Sequence, residues 1–250
     1  MKVSLIHMKV RNSLKSNLRA AAQGIHRTAE QKPAFIAIPE YFSVPDSMEK
    51  FTSAEEISKK TYKETLHFLS EISKEIPNSY IVGGTMLEED QGRFFNTSTL
   101  WKNGSLVGKY QKKNLIQIEI KAGVSRGNEP AVFATDFCKV GLLVCADMFD
   151  AALIAQTVSL GAEIVFLPVA ALGTHPGVKG HPLTEKIASE NGVFVIKVGN
   201  VRSSTRGGRS AVIAPWGVIE EVSDAPKDLI ITADLDMPRL REYRKKLNKT

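Results

Sequence analysis

Short apolar runs punctuate the chain at residues 3–8, 35–39, 80–85, 140–145, 164–169, 193–198 and 229–233, each closed off by polar residues, glycine or proline. Runs of this length and composition predict buried strands. Between several of them the period changes: Leu14, Leu18, Ala22, Ile25 and Ala29 recur at about 3.6 residues, and Ile57, Leu66, Leu69, Ile72 and Ile76 do so less regularly. Two amphipathic helices are expected there. Ser53 with Glu56 three residues later is a capping-box signature just ahead of the second, while Gly161 and Gly192 stand where helices should stop before a strand resumes. Strand and helix therefore alternate, the pattern of an α/β fold. One stretch departs from it. Residues 96–102 and 106–111 flank Asn103-Gly104, the strongest short hairpin signal, so an antiparallel pair is expected. No repeat, low-complexity tract or Pro/Gly/Ser-rich linker divides the chain, and residues 1–250 are expected to form one domain.

Composition narrows the function. A chain of 250 residues, 43% of them hydrophobic, can bury a large core, which argues against disorder. The N-terminus lacks the basic start and sustained apolar stretch of a signal peptide, and no apolar run approaches the roughly 18 residues of a membrane helix. A cytoplasmic location without a membrane partner is the expectation. The net charge of +6 raises the question of nucleic acid, but the basic residues are scattered except in the tail at 239–249, and no aromatic residues interleave with them. A solvated tail accounts for them and no nucleic-acid partner is expected. Cys138 and Cys145 lie too close together on one predicted strand for a disulfide framework, and with the five histidines they make no zinc-ligand spacing. Both thiols are expected to be free, with no metal.

Three residues could carry chemistry. Cys145 ends an apolar run and is followed by an expected helix start near Ala151, so the thiol would sit at a strand-to-helix turn. The helix N-terminus would then offer N–H groups and partial positive charge to a thiolate or an oxyanion. Taken alone, a free cysteine is more often simple core filling. Glu40 closes another apolar run, at the sheet edge where open α/β sheets place their sites. Lost hydration there would raise its pKa toward that of a general base, although a surface glutamate in a cap or ion pair fits the sequence equally well. Lys112 and Lys113 lie at the end of the predicted hairpin. If Tyr110 and Lys112 share a face, Lys113 points away, and one lysine enters the site while its neighbour stays solvated.

In this order, and each in its own motif, these residues resemble the nitrilase superfamily of carbon–nitrogen hydrolases. The resemblance rests on Pro39-Glu40-Tyr41, Tyr110-Gln111-Lys112, Gly127-Asn128-Glu129-Pro130, Cys145-Ala146-Asp147, the segment from Lys186 to Asn191, Ser210 with Ala214-Pro215-Trp216-Gly217, and Asp234-Leu235-Asp236 with Arg241. It covers nearly the whole chain. It implies a four-layer α-β-β-α sandwich with two central β-sheets, assembly as homodimers or larger homo-oligomers, and a Glu-Lys-Cys triad of Glu40, Lys112 and Cys145. The family's lysine stands two residues after the motif tyrosine, which matches Lys112 and not Lys113. Many members carry a second glutamate between lysine and cysteine; Glu119 is the best candidate, with Glu129 also in the interval. This chain departs from the family pattern at Asn114, where histidine is usual, at Ala146, where an aromatic often follows the nucleophile, and near Ala151, where a proline is common.

The implied reaction is hydrolysis of a non-peptide carbon–nitrogen bond through a thioester, without metal or organic cofactor, the partners being a small amide and water. Small amides of aliphatic or ω-amidase type are the default; nitriles, N-carbamoyl compounds and a catalytically silent scaffold are the alternatives. Strand-end positions suggest a largely apolar pocket lined by Tyr41, Asn114, Ala146, Phe149, Val169 and Ala170. A contact for a substrate carboxylate would fall to Arg202, Arg206 or Arg209, and His175 and His181 lie in a Gly/Pro-rich segment that would form a loop near the site.

Overall fold

The computed structural model describes residues 1–46, 52–170, 180–202, 209–222 and 227–247. The chain opens with β1 (Lys2–Lys9), α1 (Leu14–Ala29), β2 (Phe35–Ala37) and α2 (Ala54–Glu75). Each helix starts on a serine: the Ser13 hydroxyl accepts from the Ser16 N–H, and that of Ser53 from the Glu56 N–H. The Glu56 carboxylate pairs outward with Lys60. Three antiparallel strands follow, β3 (Tyr80–Asp90), β4 (Arg93–Lys102) and β5 (Ser105–Gln111). Both turns put two residues at positive φ, Gln91 and Gly92 at 51° and 73°, Asn103 and Gly104 at 47° and 79°, the geometry that matches strand twist in a two-residue hairpin. The first hairpin was not foreseen. β3 runs past the expected end of its apolar stretch because Glu88 is held inside by the Thr97 hydroxyl and the Lys109 ammonium.

The chain continues through α3 (Gln117–Lys121), β6 (Val124–Ser125), β7 (Ala131–Ala134) and β8 (Lys139–Leu142), then a single 3₁₀ turn at Cys145–Phe149 and α4 (Ala151–Ser159). After these come β9 (Ile164–Pro168), α5 (Pro182–Asn191), β10 (Phe194–Val198), β11 (Asn200–Val201), β12 (Ser210–Ala214), β13 (Gly217–Val222), β14 (Leu229–Asp234) and α6 (Met237–Leu247). Gly192 ends α5 in the left-handed conformation, as its position suggested.

Among the described residues the strands form two mixed sheets. One runs β11-β1-β2-β3-β4-β5, with β14 beside β1 and β6 beside β4; the other runs β13-β12-β10-β9-β8-β7. The sheets meet face to face, Phe35 of the first lying 5.4 Å from Phe166 of the second between ring centroids. α1 and α2 cover the outer face of the first sheet, and α4 and α5 that of the second. This is the expected α-β-β-α layering, and it explains the apolar runs. A strand with a sheet on one side and a helix on the other has no solvated face, so nearly every side chain of β1, β2, β9 and β10 is buried. Each large side chain so covered contributes about 2 kcal/mol.

One irregularity prepares the site. β3 carries a bulge between Val82 and Thr85, where Gly84 adopts φ 57°. A Cβ on Gly84 would lie 2.1 Å from the Pro39 carbonyl oxygen. Only glycine, therefore, lets the end of β2 close onto β3, and Thr85 beyond the bulge offers its hydroxyl to the Tyr41 N–H at 3.0 Å. Gly84→Ala is expected to cost about 3 kcal/mol, through both strain and backbone clash. Gly92→Ala, where nothing lies within 4 Å, should cost only the strain, about 1 kcal/mol. Urea unfolding of the two variants checks the difference.

Candidate active site

The carboxyl ends of the two sheets bring Glu40, Lys112, Glu119 and Cys145 together. Glu40 follows β2 and is fully buried. Its Oε1 accepts from Asn96 Nδ2 at 2.8 Å and Lys112 Nζ at 3.0 Å, its Oε2 from the Ala170 N–H at 2.7 Å, and its own carbonyl from Asn200 Nδ2 at 2.7 Å. Lys112 follows β5 and extends its pairing, donating its N–H to the Asn96 carbonyl at 2.9 Å. Gly127 in turn donates to the Lys112 carbonyl at 2.9 Å, and a Cβ there would meet the Gln111 oxygen at 2.0 Å. The Gly127 motif is thus a backbone support for the lysine.

Glu119 sits in α3, a five-residue helix that it caps itself through the Ile116 N–H at 3.0 Å. Its carboxylate also accepts from Lys112 Nζ at 3.0 and 2.8 Å, from Asn96 Nδ2 at 2.8 Å and from the Tyr41 hydroxyl at 2.7 Å. One buried ammonium therefore bridges two buried carboxylates, and Asn96 donates to both. Glu129, the other glutamate in the interval, is exposed. Lys113 turns away to Asp150 at 3.8 Å, as alternation predicted.

The two carboxylates are driven apart. Burial raises the pKa of Glu40 above the usual glutamate range, Lys112 offsetting part of the effect. Burial pushes Glu119 the same way, but its bonds to Lys112, the Ile116 N–H and the Tyr41 hydroxyl outweigh it and hold Glu119 below the ordinary value. Burial would discharge Lys112, yet Glu40, Cys145 and Glu119 raise its pKa well above normal. A proton entering this cluster goes to Glu40. Pairs of carboxyls split in this way divide acid/base work from fixed charge.

Cys145 begins the 3₁₀ turn with φ 47°, a left-handed conformation costing about 1–2 kcal/mol in a non-glycine residue. Tyr41, next to Glu40, is likewise at φ 51°. The other described non-glycine residues at positive φ are Lys32, Gln91 and Asn103; Gln91 and Asn103 belong to hairpin turns, whereas Cys145 and Tyr41 sit at the cluster. The half-buried Cys145 has Glu40, Lys112 and Glu119 as electrostatic neighbours. Burial and Glu40 push its thiol up to about 12, so at rest the sulfur carries its proton beside a carboxylate able to take it.

The expectation about the helix N-terminus is corrected. α4 starts only at Ala151, and its first turn is closed by the Asp150 carboxylate, which accepts from the Leu153 N–H at 2.9 Å. Positive charge at the thiol comes instead from Lys112. The turn is held by Asp147, fully buried, which accepts from the Val144 N–H at 2.9 Å, the Tyr110 hydroxyl at 2.8 Å and the Asn114 N–H at 2.8 Å. The cysteine turn and the lysine segment are thereby tied together. Asn114 also reaches Asp147 and Asp150 through its Nδ2, both at 3.1 Å, so it anchors the turn.

Other expected positions divide. Ala146 is half-buried beside Cys145, and Val169 is buried with its N–H on the Val198 carbonyl at 2.7 Å. Ala170 contributes its N–H. Phe149 is 69% exposed, at the outer end of the 3₁₀ turn, and does not line the cluster. Arg202 lies within 3.5 Å of the Tyr41 and Val44 carbonyls and 3.8 Å from Asp46, bracing the loop after Glu40. Arg209 donates to the Gly180 carbonyl at 3.2 Å, and His181 caps the start of α5. Arg206 and His175 lie outside the described residues. Sequence reasoning missed Asn96, Asn200 and the role of Asp147; Asn96 opens the polar run Asn96-Thr97-Ser98-Thr99 of its hairpin strand, where nothing local marks it.

A family model described as carbon-nitrogen hydrolase matches residues 2–245. The chain belongs to the carbon–nitrogen hydrolase family. Omega-amidase NIT2-B of Xenopus laevis is 30% identical over 98% of this chain and 92% of its own length. Nit3 of Saccharomyces cerevisiae, a nitrilase superfamily member, superposes with a TM-score of 0.82 at 26% identity, covering 98% of this chain and 94% of that one. A carbon-nitrogen hydrolase from Helicobacter pylori G27 shares the fold with a TM-score of 0.86 at 19% identity, covering 99% and 93%. This carbon–nitrogen hydrolase is accordingly an enzyme acting on carbon–nitrogen bonds other than peptide bonds. Among its described residues no helix is long and apolar enough to cross a membrane.

Removing the ammonium tests the charge cluster. Lys112→Met leaves two buried carboxylates facing each other and should cost about 3–5 kcal/mol at neutral pH. Both carboxyls would then titrate above their unfolded values, so the folded variant holds protons that the unfolded chain has lost. The deficit should therefore shrink as pH falls toward about 4 and widen as pH rises above it. Urea unfolding of variant and parent between pH 4 and 8 measures this.

Proposed function

We propose that the enzyme hydrolyses a small amide, of the ω-amide type in which a short chain carries an amide at one end and a carboxylate at the other, through a thioester on Cys145. The observation that carries the reading is the buried Lys112 ammonium held between Glu40 and Glu119 beside a strained cysteine. Similarity to omega-amidases over nearly the whole chain supports the substrate class.

In the proposed reaction Cys145 Sγ attacks the amide carbonyl while its proton passes to Glu40, whose raised pKa suits it as acceptor. The negative charge arriving on the carbonyl oxygen is met by Lys112 and the Ala146 N–H. Glu40 returns the proton to the departing nitrogen as the C–N bond breaks, and ammonia leaves. Water then adds to the thioester, giving a proton to Glu40; the C–S bond breaks, the sulfur is reprotonated and the acid departs. Glu119 keeps its charge throughout and fixes Lys112. The two cysteines, both free, suit the reducing cytoplasm, and assembly as a homo-oligomer is part of the same reading.

Cys145→Ala is expected to abolish ammonia release and Cys145→Ser nearly so, while Cys138→Ser is tolerated. Near-normal turnover by Cys145→Ala overturns the assignment. The lysines separate in the same assay: Lys112→Ala should lose about 10²–10³-fold in kcat, whereas Lys113→Ala, whose ammonium turns to Asp150, should retain most activity. A screen across ω-amides, simple amides, N-carbamoyl compounds and nitriles identifies the class, and a preference for nitriles or carbamoyl compounds would replace the amide reading.

A further inference from the structure

Two of the three cations expected to meet a substrate carboxylate are engaged elsewhere: Arg202 braces the loop after Glu40, and Arg209 donates to the Gly180 carbonyl. Another cation, not singled out by its sequence context, lies nearer the thiol. Lys197 is the fourth residue of β10, paired with Leu167 of β9 and Ala211 of β12. Gly141 and Val165 face α4, since a Cβ on Gly141 would meet both the Thr157 side chain and Val165. Val165 is in register with Val195, and Lys197, two residues further along, shares that face. The 3₁₀ turn carrying Cys145 packs against α4, α5 and β9 on the same side. Lys197 and Cys145 are electrostatic neighbours.

The surroundings of Lys197 are positive. Arg209, just ahead of the neighbouring strand β12 whose Ala211 pairs with Lys197, is an electrostatic neighbour of it. His181, its side chain fully buried at the start of α5, is held neutral by burial and by Lys197 and Arg209, its pKa pushed down to about 4. The carboxylate in this corner, that of Glu221, lies 3.2 Å from His181 Nε2. No hydrogen bond or ion pair joins the Lys197 ammonium to a described residue, and burial lowers its own pKa. A largely desolvated ammonium without a counter-ion is costly, and the cost disappears when an anion arrives. Glu40 and Glu119 cannot serve, because Lys112 and Asn96 already occupy them.

We infer that Lys197 is the residue that binds the free carboxylate of the substrate, placing the amide at the other end of a short chain against Cys145. This rests on the ω-amide reading and assigns that reading its specificity-determining cation.

The test compares succinamate with 4-methylpentanamide, which has the same chain with an uncharged isopropyl group in place of the carboxylate. The measured quantity is the ratio of their kcat/KM values by ammonia release. The parent enzyme should prefer succinamate. Lys197→Met should reduce that ratio by about 30-fold, mainly through KM for succinamate, and Lys197→Arg should restore most of it. Thermal unfolding of Lys197→Met should show a Tm at or above that of the parent, because no partner is lost, which separates the effect from misfolding. A preference for succinamate that survives Lys197→Met overturns the inference and leaves the ω-amide reading standing. A parent enzyme indifferent to the carboxylate overturns the ω-amide reading itself. Equal losses on both substrates would show Lys197 acting on the thiol and also overturn the inference.

Discussion

Everything at the cluster follows from placing the Lys112 ammonium, 1% exposed, where water cannot solvate it. A lone buried cation would give up its proton. Here three of its short contacts go to two carboxylates, and those carboxylates are themselves supplied with donors by Asn96, Tyr41, Ile116 and Ala170. A buried ion pair contributes little to stability when its partners can be replaced by apolar groups. It does require that β2, β5, α3 and the segment after β9 end at one point, and the sheet packing is what meets that requirement.

The cluster carries one negative charge in excess when Glu40 and Glu119 are both ionised against Lys112. In a desolvated site that excess settles on the group with the weakest donors, and Glu40 shows it in a raised pKa while Glu119 stays low. Transfer of a proton from Cys145 to Glu40 does not alter the total. In the proposed reaction the charge moves from carboxylate to sulfur and then to the substrate oxygen, always within reach of the same ammonium. Such a path avoids separating new charge in a low-dielectric environment, where that would be most expensive. The positive φ of Cys145 and Tyr41 is the backbone counterpart, tolerated because Asp147 pins one turn and Thr85 and Arg202 pin the other.

Much of this was legible in the sequence because the physics is local. Apolar runs marked β1, β9 and β10 to within a residue or two, the 3.6-residue period marked α1, and Asn103-Gly104 fixed the second hairpin. Residues closing an apolar run, such as Glu40, announced themselves. What stayed hidden depends on contacts between distant segments. β3 was drawn too short because only Lys109 and Thr97 explain why Glu88 stays inside. The helix dipole assigned to Cys145 failed because a 3₁₀ turn intervenes, and nothing in Ala146-Asp147-Met148-Phe149 distinguishes that turn from the first turn of an α-helix. Phe149 looked like a pocket residue by its position past a strand end, but the same turn carries it outward.

Asp147 shows how the two kinds of information combine. Its motif position was evident, yet a carboxylate two residues after the candidate cysteine suggests chemistry, and none of its hydrogen-bond partners is Glu40, Lys112 or Cys145. Its oxygens are occupied by Tyr110, Val144 and Asn114, two of which flank Lys112 in sequence. The bonds to Tyr110 and Asn114 therefore set the distance between the thiol and the ammonium from the backbone side, while Glu40 and Glu119 set it from the side-chain side. Asn114 suits this arrangement because an amide donates without titrating near neutral pH. The separation of cysteine and lysine is consequently held from the backbone side by Asp147, Tyr110 and Asn114, none of which exchanges a proton in the proposed reaction, while Glu40 is the carboxylate there that gains and loses one.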